Sequence, residues 1–347
     1  MTSLAEQLPY TMAFPHALGT GLIVQSTAPA ETPITVPPLL SGDSDVSASS
    51  PHTQIIALYD AIDAFIDVYE STLSRFRANS LVSQMRSAQH GGTFDFPVWC
   101  VGLFDLYDQL FEATAGAIDP CVGEDLIRLG YDATYSFSVA PDAFGHADDA
   151  QDPGHLGAIH GRPTWRNDVE RQGATLITHL PVSLDFGACG KGYLVDLIAR
   201  MLAPHTDAFV IDAGGDLLIH TTEPVTIALE DPEDTNRAVG TATVSNGAFC
   251  ASAPSRRHWG EVAGHQLHHL LNAIDGLPVD DVAATWVTTP NTNGVSYLAA
   301  QTDGLATALF TTSANQLHRH FDFDCAILNT DRTAAQSPNF PGRFFTA

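Results

Sequence analysis

Leu184-Asp185-Phe186-Gly187-Ala188-Cys189-Gly190-Lys191-Gly192-Tyr193 lies between a strand expected over 174–184 and a helix expected from about 193 to 202. Its glycines leave the backbone unobstructed, so N–H groups and carbonyls can come close to a ligand. The helix start that follows offers free N–H groups and a partial positive charge, which favour a phosphate. Lys191 adds a mobile point charge suited to a phosphoryl oxygen. The GxxxxGK[ST] spacing of a Walker loop is absent. The other reading is a structural Gly-rich turn.

Outward from this stretch, strands and helices mix without regular βαβ alternation, which predicts an α+β fold. Upstream, a short strand is expected over 17–25 and a flexible surface insertion, rich in Pro, Ser, Thr and Asp, over 26–53. Apolar residues at helical spacing predict an amphipathic helix over 54–76 and a core helix over about 97–114, ended by Gly116. Residues 132–171 are polar and read as irregular surface with a strand or two. Downstream, strands are expected over 208–219 and 224–229 around Ala213-Gly214-Gly215-Asp216. The last third gives a strand over 283–289, a helix over 293–313 and a closing strand over 324–329.

With 347 residues, 44% hydrophobic and 16% charged, the chain can bury a large core over 1–347, as one large domain or as two lobes. A net charge of −25 argues against a nucleic-acid partner, which needs clustered cations. Of the 15 basic residues the only Lys is Lys191. The five Cys are scattered without metal-ligand spacing and read as small buried hydrophobes in a reducing compartment. No signal peptide and no membrane span are expected, and the cytoplasm is the expected location.

Three other segments carry candidate chemistry. In Thr302-Asp303-Gly304-Leu305-Ala306-Thr307, Asp303 and Thr307 fall four apart on one helix face and could share a hard cation such as Mg²⁺; otherwise Asp303 is a solvated surface residue. In His268-His269-Leu270-Leu271-Asn272, a His beside an apolar pair could be a general base, or a surface residue. Thr114-Ala115-Gly116-Ala117-Ile118-Asp119-Pro120 could face a heterocycle, or be only a capped helix end.

Taken in order, these segments resemble the FAD:protein FMN transferase family, known as the ApbE family. Leu18-Gly19-Thr20 stands where the family has Met-Gly-Thr, and Ser74-Arg75-Phe76 with Asn79-Ser80-Leu81 where it has a Ser-x-aromatic element and a Ser-Glu-Leu-like segment. Leu129-Gly130-Tyr131, Ala213–Asp216, Glu230-Asp231-Pro232 and the segments above complete a likeness running from about 19 to 329. The resemblance implies mixed sheets with flanking helices in two lobes around a flavin cleft. It implies that the Ala188 carbonyl, Asp303 and Thr307 hold Mg²⁺ beside the pyrophosphate of FAD, and that Lys191 and Asp185 contact FAD. Leu18, Phe76, Ala117, Ile118, Asp119 and Leu270 would line the flavin and adenine pockets, with His269 as the base. The implied reaction moves FMN from FAD to a Ser or Thr hydroxyl in the flavinylation motif of an acceptor flavoprotein, releasing AMP; a cytoplasmic flavin reductase would suit as acceptor. Departures from the family pattern are Leu18 for Met, Ala251-Ser252-Ala253 for Thr-Ser-Gly, and Asn272, Ala273 and Asp275 in the loop after His269. The other readings are a Mg²⁺-dependent FAD pyrophosphatase giving FMN and AMP, and an FAD-binding protein without turnover.

Overall fold

Two neighbouring strands, Asp216–Asp231 and Asp234–Ser252, form the longest hairpin of the molecule. It is the centre of a nine-stranded sheet in a computed structural model that describes residues 4–36, 39–40, 55–145, 154–291 and 294–345. The strand order is Tyr10–Phe14, Leu22–Ser26, Phe209–Asp212, Asp216–Asp231, Asp234–Ser252, Val282–Pro290, Asp324–Asn329 and Ala334–Gln336, with Gly342–Phe344 pairing the far end of Asp234–Ser252. Every pairing among the described strands is antiparallel. With helices packed on this sheet and smaller antiparallel sheets beside it, the fold is α+β, as the lack of βαβ alternation predicts.

Alternation along the strands divides the core. Ala248, Cys250, Val287 and Cys325 face one buried cluster, while Phe249, Trp286, Ala326 and Leu328 face another on the opposite side. Val282–Pro290 is therefore buried on both faces from 284 to 289, and its hydroxyls find partners. Thr285 donates to the Ala306 carbonyl at 2.7 Å and Thr288 to the Ala248 carbonyl at 3.0 Å. The first of these ties the strand to the helix Leu298–Ala308.

The helix Leu58–Leu73 buries Leu58, Ile62, Phe65, Ile66, Tyr69 and Leu73, the stripe that its period predicts. It is shorter than 54–76 because Ile55–Ala57 is a strand paired with Pro33–Thr35. This pairing also corrects the expected insertion, since 27–36 is ordered against the helix; residues 37–38 and 41–53 lie outside the described residues. The core helix is Val101–Ala113, preceded by a 3₁₀ turn Val98–Cys100.

Other boundaries moved for local reasons. Leu18 lies in a 3₁₀ turn at φ 53°, so the strand starts only at Leu22. The strand before the Gly-rich stretch covers only Thr175–Thr178, and the helix after it begins at Gly190. Lys191 and Gly192 thus belong to a helical first turn. The helix expected over 293–313 is Leu298–Ala308, with Asn293 outside the described residues. All five Cys are free and buried. No helix among the described residues is long and apolar enough to cross a membrane.

Candidate active site

Two helices, Gly190–Leu202 and Leu298–Ala308, carry most of the chemistry and touch closely. At Gly192 a Cβ would overlap the Ala299 carbonyl and sit 2.8 Å from the Ala300 nitrogen, so only glycine allows this approach. At Gly304 a Cβ would lie 2.7 Å from Leu110 Cδ1. The second helix has no side-chain cap of its own at Tyr297. Instead buried Asp196, from the first helix, accepts hydrogen bonds from Ala299 N at 3.1 Å and Ala300 N at 2.8 Å. Burial raises this carboxyl to about 7, against the pull of those N–H groups.

The docking brings two oxygens of the sequence-predicted set together, with a third from Ser252 beside them. Thr307 Oγ1 donates to the Ala188 carbonyl at 3.2 Å, and Ser252 Oγ lies 3.5 Å from Thr307 Oγ1. One turn earlier, Asp303 is 1% exposed, which excludes the solvated reading. Its carboxylate accepts from Gly192 N at 3.0 Å and lies 3.5 Å from Lys191 Nζ. Lys191 is shared with Asp216, whose carboxylate is 2.9 Å away, fully buried and without a well-formed hydrogen bond. Burial and then the charge of Asp216 raise Asp303 to about 7. Burial alone would lower Lys191; the two carboxylates hold it above its ordinary value. Two buried carboxylates therefore face one ammonium, an arrangement with room for a further cation on hard oxygen donors. Among the described residues no three His, Cys, Asp or Glu cluster as a metal site.

A cleft of about 1100 Å³ opens over these groups. Leu18, Phe76, Ala117, Ile118, Asp119, Asp185, Ala188, Lys191, His269, Leu270 and Thr307 all line it, while Asp303 lies just behind its wall. Asp185 accepts from Gly187 N at 2.6 Å and from Arg75 Nε. Burial would raise Asp185, and the Arg75 guanidinium holds it below the usual carboxylate range. Arg75 also covers the Phe76 ring, 4.1 Å from its centroid. The Leu18 N–H donates to Glu70 Oε1 at 2.6 Å. Asp119 is committed to the loop, accepting from Cys121 N at 2.7 Å and Trp165 N at 3.2 Å, so this segment offers the cleft its backbone and the apolar Ala117 and Ile118.

Geometry separates the two adjacent His. His268 Nε2 donates to the Val279 carbonyl at 3.1 Å and its Nδ1 accepts from Leu270 N at 3.2 Å, so both ring nitrogens are used. His269 Nδ1 lies 3.3 Å from the Arg257 carbonyl, which can only accept; the proton is therefore on Nδ1 and Nε2 keeps its lone pair. Burial, followed by the charges of Arg257 and Lys191, lowers His269 to about 3. The departing loop residues keep a turn: Asn272 Oδ1 accepts from Ile274 N at 3.0 Å and Asp275 Oδ1 from Leu277 N at 2.9 Å. An Asx turn needs only the acceptor oxygen, which Asn and Asp share.

Behind this wall lies a buried cation in the region expected to be surface. Arg162 pairs with Asp125 at 2.7 Å, donates to the Ala273 carbonyl at 2.6 Å and lies 3.9 Å from Asp119. It stitches the 117–125 segment to the loop after His269, where Ala273 N also donates to the Ala117 carbonyl at 3.1 Å. Nothing in the local composition of 132–171 marks this residue. Of the aromatic mouth of the cleft, Tyr135, Phe137 and Trp259 were also missed. Tyr135 stacks on Phe76 with centroids 5.2 Å apart, and Tyr131 stacks on Trp259 at 5.2 Å. Tyr135 and Phe137 sit at φ 52° and 50°, left-handed positions uncommon for bulky residues. Asp216 and Ser252 lay within motifs already noticed and could have been found from their positions beside the Gly-Gly turn and the small-residue triplet.

A family model described as the ApbE family matches residues 39–325. The chain is 23% identical over 232 residues to an FAD:protein FMN transferase of Klebsiella pneumoniae, a match covering 64% of this chain and 63% of that protein. It is 22% identical over 324 residues to one of Treponema pallidum, covering 86% and 78%. Among solved structures, an ApbE protein of Thermotoga maritima superposes with a TM-score of 0.69 at 18% identity, over 95% of this chain and 97% of that one. The flavinyl transferase ApbE of Pseudomonas stutzeri gives 0.68 at 19%, over 94% of each.

Proposed function

The chain belongs to the ApbE family, and on that premise we propose that it is a Mg²⁺-dependent FAD:protein FMN transferase. The observation that carries this reading is the meeting of Ala188 O and Thr307 Oγ1 at 3.2 Å, with buried Asp303 one turn away, on the floor of a cleft large enough for a dinucleotide. Ala188, Asp303 and Thr307 would hold Mg²⁺. Bound there, the ion would neutralise charge on the pyrophosphate and on the departing AMP.

The protein's own groups account for the rest. Lys191 adds a positive charge at the phosphates, and Asp185, fixed by Arg75, braces the turn that presents Ala188. Leu18, Phe76, Ala117, Ile118, the backbone of Asp119, and Leu270 supply walls for the planar rings. His269 Nε2 takes the proton of an acceptor Ser or Thr hydroxyl, whose oxygen bonds to the FMN phosphorus as the bond to the AMP oxygen breaks. It is a weak base in the free protein; an anionic ligand between Lys191 and Arg257 would offset the charges that depress it.

Incubation with FAD, Mg²⁺ and a co-expressed acceptor flavoprotein, read by in-gel flavin fluorescence and AMP release, tests the proposal. Covalent fluorescence on the acceptor with one AMP per FMN transferred is expected. Prompt release of free FMN regardless of acceptor would replace it with the pyrophosphatase reading, and FAD left intact with the binding-protein reading.

A further inference from the structure

The cations of the cleft are nearly all spent. Arg75 is engaged by Asp185, Arg77 by Glu70, Lys191 by Asp216 and Asp303, and Arg256 by Glu230. Arg257 also lines the cleft, and its guanidinium has no hydrogen bond or ion pair among the described residues. We infer that Arg257 is a phosphate-anchoring residue whose guanidinium grips the pyrophosphate of the dinucleotide in the cleft, an inference that rests on the cleft being an FAD site.

Three observations support it. First, the residue is held in place: Arg257 N donates to the Pro254 carbonyl at 3.0 Å, closing the 3₁₀ turn Pro254–Arg256. Second, it lines the same cleft as Lys191, His269 and Tyr131, the proposed phosphate contact, the proposed base and part of the aromatic mouth. A half-buried cation with no counter-ion is unfavourable until an anion enters. Third, the net charge of −25 repels an anionic ligand at long range, so binding needs a local uncommitted cation, and the planar guanidinium fork fits phosphate oxygens. Side chain and main chain have separate tasks here, because the Arg257 carbonyl receives His269 Nδ1–H at 3.3 Å whatever side chain the residue bears.

The test compares FAD with riboflavin, which has the flavin ring and no phosphate, on the full chain in EDTA, by quenching of flavin fluorescence. Arg257→Gln is expected to weaken FAD about ten- to a hundred-fold and leave riboflavin unchanged. Arg257→Lys should recover part of the loss, and Arg256→Gln, which breaks only a rim pair, should do nothing comparable. Equal losses for both flavins, no loss for FAD, or an equal effect from Arg256→Gln would overturn the assignment to Arg257 alone. A wild-type protein that binds neither flavin would overturn the FAD reading itself and this inference with it.

Discussion

Gly192 donates its backbone N–H to the carboxylate of Asp303 at 3.0 Å, tying the first turn of one helix to the middle of the other. Asp303 is therefore structural as well as a candidate ligand, and the choice of substitution decides what a mutant reports.

Asp303→Asn keeps an acceptor for Gly192 and removes a charge facing Asp216. It should melt within a few degrees of wild type and lose metal-dependent FAD cleavage by on the order of 100-fold or more. Asp303→Ala leaves a buried N–H without a partner and should cost about 1–3 kcal/mol in addition. Thermal melts beside AMP release separate the two effects; Asp303→Asn with near wild-type turnover would remove it from the metal site.

The Asp196 carboxylate does the work of an absent cap. Asp196→Ala should lower stability by about 0.5–2 kcal/mol and weaken turnover, because it loosens the helix that carries Asp303 and Thr307. Urea titration with activity measured in parallel checks it. Unchanged values of both would mean that the Gly192–Asp303 and Thr285–Ala306 hydrogen bonds fix the helix without this residue.

Gly192→Ala should push the two helices apart. A cost of about 1–3 kcal/mol is expected from overpacking, with loss of activity exceeding what the unfolded fraction explains. A soluble, fully active Gly192→Ala protein would contradict the close approach.

Arg162→Ala strands Asp125 and Asp119 in the interior and should cost about 3–5 kcal/mol. Arg162→Met combined with Asp125→Leu should recover much of that. Chemical denaturation of both proteins checks the comparison; a mild single mutant would show that the pair is wetter than it looks.

His269 gives a pH signature. Its folded-state value, about 3, lies below the unfolded value near 6.5, so the unfolded chain binds a proton that the native chain refuses. Stability should fall from this residue as pH drops from about 6.5 towards 3. Melting curves of wild type and His269→Gln between pH 7 and 4 should differ in slope, the variant being flatter; parallel slopes would contradict the shift.

The sequence carried the local pieces of the site and little of their assembly. Apolar periodicity located Leu58–Leu73 and Val101–Ala113, and the closing strand Asp324–Asn329 appeared at its expected bounds. The long strand Asp234–Ser252 was not foreseen, because it opens on the polar Asp234-Thr235-Asn236-Arg237 and continues with small residues, so it lacks a strong period-2 signal. Asp303 and Thr307 were legible as an i, i+4 pair, whereas the burial of Asp303 depends on Gly192 from another helix and has no local trace. Arg162 and Arg257 were invisible for the same reason. What marks them is the presence of a partner in one case and its absence in the other, and both are properties of the folded chain.

Ala188 and Thr307 are 119 positions apart, and their oxygens meet only after Val282–Pro290 has joined the sheet and the following helix has docked. A growing chain on the ribosome displays the glycine turn and its lysine while lacking the partner helix altogether. Cleavage of the backbone anywhere between the two segments, followed by separation of the fragments, would likewise split the oxygen set. On the proposed reading, turnover of the dinucleotide would report completed synthesis and folding, and partly made molecules would be chemically silent.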